Sequence, residues 1–218
     1  MMAQRDKTIL NSLKTVTDAV AQAFGNNCEV VLHDLEDLSR SIVRIVNGHV
    51  TGRNVGSPLT DLGIEILEKA NSLETDLVGP YFSKLDDGRL LKCVTTLIRN
   101  TKGKPIGMLC INIDLSSPFL DFLRGFLPNG GEPSGNSVEH FALSPKDLIS
   151  RTLEMVRMEV SNQRNTSPSE KNKMLVMELY KRGIFNVKGA VDFVARETGI
   201  SRYTVYNYIR EAKFQYEK

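Results

Sequence analysis

The chain has 218 residues, of which 41% are hydrophobic and 25% charged, and its formal net charge is +2. This composition is typical of a soluble globular protein with one large domain or two modest ones. No apolar run reaches the ~18 residues of a membrane span, and the N-terminus lacks the pattern of a signal peptide. Cys28, Cys93 and Cys110 have no CxxC spacing, which argues against a disulfide framework or a zinc site. We therefore expect a protein of the reducing cytoplasm with no membrane partner.

Residues 1–127 alternate between helical and strand patterns. Helical periodicity covers 8–24, 59–70 and 117–126, and runs rich in β-branched residues cover 28–33, 41–46, 80–84, 90–99 and 106–114. The last two runs are joined by Asn100–Pro105, which has the composition of a hairpin turn. Short strands with a closing hairpin are typical of an α+β domain on an antiparallel five-stranded sheet, rather than of a parallel α/β sheet. We predict that this domain occupies residues 1–127.

A turn-rich segment separates this domain from a single predicted helix. Residues 128–143 are rich in turn-forming residues, and we predict a linker there. Ser144 and Pro145 then have the pattern of a helix N-terminus, so a connecting helix is predicted over 144–164. Its apolar stripe consists of Ile149, Leu153, Val156 and Val160. Such a stripe packs either on its own domain or on the same helix of a second subunit, and the sequence leaves both open.

The segment 165–218 begins with two short predicted helices. Ser167 and Glu170 have capping-box spacing and open the first helix, which stops at Gly183. The second helix is predicted from about Val187 to Thr198 and buries its small and β-branched residues. Both helices are short enough to pack as parts of one compact helical domain.

The residues that follow have the spacing of a helix-turn-helix. Ala195 is small where two helices would cross, and Gly199 suits the left-handed position after a helix. Ser201 caps a third helix, and Val205 would lock that helix onto the second. Each position has a steric reason, because the two helices meet at a steep angle over a short turn. The spacing predicts an all-α helix-turn-helix domain over 165–218.

The third predicted helix has a polar outer face. Val205, Ile209 and Ala212 point to the core, whereas the outer set with its cap is Ser201, Arg202, Tyr203, Tyr206, Asn207, Arg210 and Lys213. A guanidinium can pair with guanine, an amide with adenine, and aromatic rings with thymine methyls. From Ser169 to Lys218 the chain has ten Lys/Arg against six Asp/Glu, a small basic excess. We predict that this set binds double-stranded DNA at an operator, the alternative being a helical bundle with a solvated polar face.

Several stretches together resemble a known family of regulators. Ile184–Ala190, Val194–Ala195 and Gly199–Tyr206 resemble the helix-turn-helix of the YheO-like PAS regulators, a group that includes the D-arginine utilisation repressor. Val30–Leu35, Gly52–Pro58 and Gly107–Asp114 resemble that family's PAS domain. The resemblance implies a PAS fold, dimerisation and transcriptional control, with repression and amino-acid catabolism as further expectations. It does not identify an effector. Tyr203 stands where relatives are expected to have a smaller residue or proline, which implies a different operator.

The PAS-like domain offers a candidate site for a small-molecule effector. Polar residues on a core-facing sheet suit a small cavity with a few orienting groups. The candidate ligand-binding residues are His33, Asp34, Arg53, Asn54, Cys110 and Asn112, each of which also fits a hydrogen-bonded structural role. No cofactor is predicted, because Cys28 lacks the rest of a flavin motif. No metal is predicted either. Haem binding through His33 or His49 is neither excluded nor favoured by any feature of the sequence.

Two other classes of function compete with a regulator. His33, His49 and His140 fall in unrelated contexts, and the chain has no HExxH, GxxxxGK or GxSxG motif, so we do not expect an enzyme. A non-catalytic interaction protein that uses both domains for protein contacts is the alternative. We favour a transcription regulator that acts as a homodimer or a dimer of dimers, because helix-turn-helix proteins usually read two half-sites.

Overall fold

The computed structural model describes residues 4–127, 141–161 and 167–216. The chain divides into two units, Met1–Ser134 and Gly135–Lys218. This division falls inside the predicted linker 128–143, but residues 128–140 lie outside the described residues, so the linker stays a prediction. Within the described ranges, no helix is long and apolar enough to cross a membrane.

The N-terminal unit is built on a five-stranded antiparallel sheet. The strands are β1 (Cys28–Asp34), β2 (Ile42–Val46), β3 (Leu77–Lys84), β4 (Leu90–Arg99) and β5 (Pro105–Asp114). Their order is β2-β1-β5-β4-β3, and each neighbouring pair is antiparallel. The predicted hairpin joins β4 to β5, and β5 lies in the centre of the sheet. The α+β class and the antiparallel five-stranded sheet are therefore confirmed.

Helices cover the two faces of this sheet. They are α1 (Gln4–Phe24), α2 (Asp61–Glu68) and the short α3 (Phe119–Arg124). On one face, Leu10 of α1 packs in a buried cluster with Leu32 and Leu109. On the other face, Ile66 of α2 packs in a cluster with Met108. Adjacent residues of β5 serve opposite faces because side chains alternate along a strand. The central strands β1 and β5 are therefore largely buried on both sides, and polar side chains within them need partners.

The C-terminal unit contains four helices among the described residues. They are α4 (Pro145–Ser161), α5 (Pro168–Lys181), α6 (Ala190–Thr198) and α7 (Arg202–Tyr216), with a short 3-10 turn at Ile184–Asn186. The capping box of Ser167 and Glu170 is confirmed at the start of α5. The predicted start of the second helix at Val187 is wrong, because Val187 is extended and Gly189 takes a left-handed φ of 87° before the helix begins. The helix therefore begins at Ala190, directly after the left-handed Gly189.

Helix α4 supplies one wall of the core of the C-terminal unit. One buried cluster contains Ile149, Leu153, Val156 and Val160 of α4, Val176 and Leu179 of α5, Val194 of α6 and Val205 of α7. Of the two packing partners that the sequence left open, the structure therefore has the stripe on its own unit. Residues 162–166, the end of the predicted connecting helix and the break after it, lie outside the described residues.

Removal of side-chain volume from this stripe should destabilise the C-terminal unit. Leu153 is 2% exposed, so Leu153→Ala is expected to lower the free energy of unfolding by about 2–5 kcal/mol through lost burial and a residual cavity. Met158 lies on the same helix but is 63% exposed, and Met158→Ala should change stability by no more than about 0.5 kcal/mol. Urea denaturation measures both. A Leu153→Ala defect that grows on dilution would instead place the stripe between subunits.

Candidate functional site

The buried side of α7 fixes its orientation on the C-terminal unit. Val205 and Ala212 are both fully buried, and they lie seven residues apart, about two helical turns. The chain enters α7 through Gly199, whose φ of 70° is left-handed and favours glycine. Ser201 then caps the helix, because its Oγ accepts a hydrogen bond from the Thr204 backbone N–H at 3.0 Å. The predicted roles of Gly199, Ser201 and Val205 in the helix-turn-helix are confirmed by this geometry.

The opposite side of α7 is open to solvent. Of the residues predicted to contact DNA, Ser201, Arg202, Tyr203, Tyr206, Arg210 and Lys213 are exposed, and Asn207 is half-buried. Tyr203 is 73% exposed and Tyr206 51%, although tyrosine usually covers part of its ring. The guanidinium of Arg202 is ion-paired with Asp192 of α6, a contact that sequence reasoning missed. The outer face of α7 therefore presents donors and aromatic rings on one surface.

The N-terminal unit encloses a cavity of about 320 Å³ between the sheet and the segment that leads into α2. The sheet contributes polar and sulfur-containing side chains, which are His33, Tyr81, Ser83, Lys84, Cys93, Thr95, Cys110 and Asn112. The N-terminal turn of α2 and the loop before it contribute Thr51, Arg53 and Thr60–Gly63. This volume lies at the lower end of the range of about 300–1,000 Å³ for small-molecule sites. The cavity could hold a compact polar ligand.

A buried carboxylate beside the cavity ties the loop to the sheet. Glu29 of β1 is completely buried, yet it has a full set of donors. Arg53 donates to its Oε1 at 2.8 Å, the Asn112 amide donates at 2.9 Å, and the Thr51 backbone N–H and hydroxyl donate to Oε2. Burial of an unpaired carboxylate would be costly, so these bonds stabilise the loop conformation. Sequence reasoning missed Glu29, whose signal was an acid inside an otherwise apolar strand.

His33 is a buried ionisable group in the cavity wall. Its Nδ1 lies 2.8 Å from the Ser41 hydroxyl, and the residue is 1% exposed. Burial, followed by the positive charge of Arg53, lowers the pKa of His33 from 6.5 to about 4. The ring is therefore neutral at physiological pH. Nδ1 is committed to Ser41, so Nε2 is the ring nitrogen left to meet a ligand.

Four of the six predicted ligand-binding residues line the cavity, namely His33, Arg53, Cys110 and Asn112. Asp34 and Asn54 do not belong to the lining. The carboxylate of Asp34 instead accepts a hydrogen bond from the Glu36 backbone, and the Asn54 backbone bonds the Ser57 hydroxyl in an exposed turn. Short polar side chains and turn backbones satisfy each other in this way, and the structure does not bring these two residues to the cavity.

The cysteines fit a packing role better than a reactive one. Cys28 and Cys93 are buried, and burial is the main cause that raises the pKa of all three thiols, that of Cys28 to about 11. A raised pKa keeps the thiol protonated and poorly nucleophilic. Within the described ranges, no group of three or more His, Cys, Asp or Glu side chains could hold a metal ion. His49 is exposed and lies outside the cavity lining.

Comparison with known proteins supports both halves of this architecture. The model of the YheO-like PAS domain matches residues 3–128, and a model of a helix-turn-helix domain matches residues 148–210. The chain belongs to the YheO-like PAS domain family. The helix-turn-helix match begins inside α4, in agreement with the packing of that helix on the C-terminal unit.

Relatives of this YheO-like PAS protein match along almost its whole length. YheO of Escherichia coli strain K12 is 42% identical over 210 residues, which are 96% of this chain and 87% of that protein. A protein of Haemophilus influenzae strain Rd is 42% identical over 212 residues, 97% of this chain and 95% of that protein. The transcriptional regulator DauR of Pseudomonas aeruginosa strain PAO1 is 29% identical over 207 residues, 94% of each chain.

The lowered pKa of His33 should make the YheO-like PAS unit sensitive to acid. The neutral ring is favoured in the folded state, so its stabilising contribution is complete above pH 6.5 and is lost as the pH falls towards 4. We expect the free energy of unfolding to decrease by about 1.4 kcal/mol per pH unit in that window. Urea denaturation of the native protein and of His33→Gln at several pH values isolates this slope. Parallel pH profiles for the two proteins would contradict the assignment.

Proposed function

We propose that this protein is a DNA-binding transcription regulator whose PAS domain binds a small molecule that controls operator binding. The main observation behind the proposal is that α7 has one buried side and one side exposed to solvent. Val205 and Ala212 anchor one side in the core, while Arg202, Tyr206 and Arg210 stay exposed on the other. A helix held in this way after a short turn can enter the major groove with its first turns against base edges.

The relatives support the same reading. DauR is named a transcriptional regulator, and it aligns with both units of this chain. A regulator of chromosomal genes works in the cytoplasm, and we propose that location. We also propose a homodimer, because two half-sites about one turn of DNA apart require two recognition helices. From the resemblance to the D-arginine utilisation repressor we also propose a role in amino-acid catabolism.

Substitutions on α7 should separate base reading from phosphate contact. Arg202→Ala and Asn207→Ala are each expected to weaken operator binding by about 1–3 kcal/mol and to relax base preference at one position. Arg210→Ala should weaken binding to all sequences alike and lower the salt slope by about one, because Arg210 lies two turns further along the helix. The measurement is binding to duplexes that the native protein selects from a randomised library.

A control on the same protein shows whether these effects are specific. Arg151 is exposed on α4 and pairs with Asp147 of the same helix, so Arg151→Ala should leave base preference unchanged. Circular dichroism should be unchanged in all four variants, since their side chains lie outside the buried cluster. If the native protein enriches no sequence, or if Arg202→Ala and Asn207→Ala keep its specificity, α7 does not read DNA. The alternative of a protein-interaction module would then be favoured.

The cavity of the N-terminal unit is the proposed effector site. Its wall combines donors from Arg53 and Asn112 with the neutral ring of His33 and the hydroxyl of Tyr81. Tyr81 and Thr95 share a hydrogen bond at 3.0 Å, which orients the phenol within the wall. A few fixed polar groups in a half-enclosed cavity are typical of small-molecule recognition. We propose His33, Arg53, Cys110 and Asn112 as ligand contacts.

A larger side chain in the cavity should exclude the effector. Ser83 lines the cavity from β3, an edge strand that tolerates substitution, so Ser83→Tyr should fill the space without loss of the fold. Mass spectrometry of natively purified protein should find a bound small molecule in the native chain and none in Ser83→Tyr. Thr101→Tyr, in the exposed β4–β5 turn, is the matched control. Equal occupancy of native protein and Ser83→Tyr would place the effector elsewhere.

A further inference from the structure

Arg202 is already engaged with a neighbouring acid before any DNA is bound. Its Nε lies 2.6 Å from Oδ1 of Asp192, which belongs to the first turn of α6. Arg202 is the first residue of α7, so this ion pair links the two helices across the turn Gly199–Ser201. The two side chains are 65% and 57% exposed. The pair therefore lies at the surface, next to the outer face of α7.

The fold gains little from this contact. Exposed ion pairs contribute little net stability because water screens the charges and two side chains lose conformational freedom. An acid near a DNA-contacting surface also repels phosphates, so Asp192 weakens binding to DNA of any sequence. Asp192 therefore contributes little to stability and lowers the affinity for DNA in general, so its presence needs a different explanation.

Asp192 can orient the guanidinium of Arg202 towards a base. A guanidinium reads guanine through two parallel hydrogen bonds, which require its planar fork to face the O6 and N7 edge. A carboxylate beside Nε fixes one end of the fork and leaves the two Nη groups to point outward. Arg202 then loses less rotational freedom when it meets a base. The same carboxylate disfavours an alternative pose in which the arginine follows a nearby phosphate.

We propose that Asp192 is a positioning residue that sets the base preference of Arg202, and that the pair reads a guanine. This inference rests on the proposed DNA-binding function and adds a residue outside α7 to the determinants of sequence specificity. Asp192 has no base contact of its own in this arrangement. It acts through Arg202, so its effect requires that arginine.

The test is Asp192→Asn in the full-length chain, with the library-selected duplex as probe. Affinity is measured for that duplex, for duplexes with each single base-pair change, and for an unrelated duplex. The position that Arg202 reads is the one at which Arg202→Ala loses discrimination. At that position we expect Asp192→Asn to lower the preference for guanine by about 3–10-fold, part of the about 5–150-fold of a bidentate contact. Affinity for the unrelated duplex should not fall, because a negative charge has been removed.

Two controls separate positioning from a general effect on charge or folding. Glu159 pairs with Arg182 through an N–O distance of 2.7 Å on other helices of the same unit, so Glu159→Gln removes a comparable charge and should leave base preference unchanged. In the Arg202→Ala background, Asp192→Asn should change base preference no further. Circular dichroism and thermal denaturation confirm that each variant is folded.

The outcomes are distinct. Native base preference in a folded Asp192→Asn overturns the inference, and so does an equal effect of Asp192→Asn with and without Arg202. Higher affinity for every duplex by one common factor also overturns it, because that result shows only relief of phosphate repulsion. If the native protein selects no sequence at all, the proposed function fails and the inference fails with it.

Discussion

Everything that α7 presents to solvent depends on the burial of Val205 in the helical core. Val205 shares one cluster with Val156, Val176 and Val194, and all four are fully buried. A buried valine stabilises the fold by about 1.5–3 kcal/mol, and close packing allows one orientation of the helix. Rotation by a single residue would bury Tyr206 and expose Val205. The contact that stabilises the unit therefore also fixes which side chains of α7 face outward.

In the N-terminal unit the corresponding constraint is electrostatic. Glu29 is buried in the sheet, and an unpaired carboxylate there would be strongly destabilising. Its donors come from two places, Thr51 and Arg53 in the loop after β2 and Asn112 in β5. The need to satisfy one charge thus holds the loop against the sheet, and the loop forms part of the cavity wall. The residues that donate to Glu29 also line the cavity, so the cavity wall is polar.

The sequence predicts those features best whose determining residues lie close together along the chain. The helix-turn-helix was predictable because Gly199, Ser201 and Val205 act on the chain within one or two turns, where spacing alone decides the geometry. The cavity network was not, because Glu29 and Asn112 are 83 residues apart and meet only through strand register. Asp34 and Asn54 lie outside the cavity lining, and at Asp34 the carboxylate accepts a hydrogen bond from the Glu36 backbone two residues further on. The start of α6 was misplaced because Gly189, and not Val187, ends the preceding turn.

Burial changes how much an arginine–carboxylate ion pair contributes to stability, as two pairs in this protein illustrate. The Arg53–Glu29 and Arg202–Asp192 pairs have similar N–O distances, 2.8 Å and 2.6 Å. Loss of one partner from a buried pair costs about 3–5 kcal/mol because a charge is left unsolvated, so the contact of Arg53 Nη2 with Glu29 belongs to the fold, although Arg53 also lines the cavity. An exposed pair contributes about 0–1 kcal/mol, so the contact of Arg202 with Asp192 adds little to the fold, and under the proposed function it orients Arg202 while the Nη groups meet a base edge. An arginine that is to read DNA has to be both oriented and exposed, and a surface pair such as Arg202–Asp192 meets both requirements.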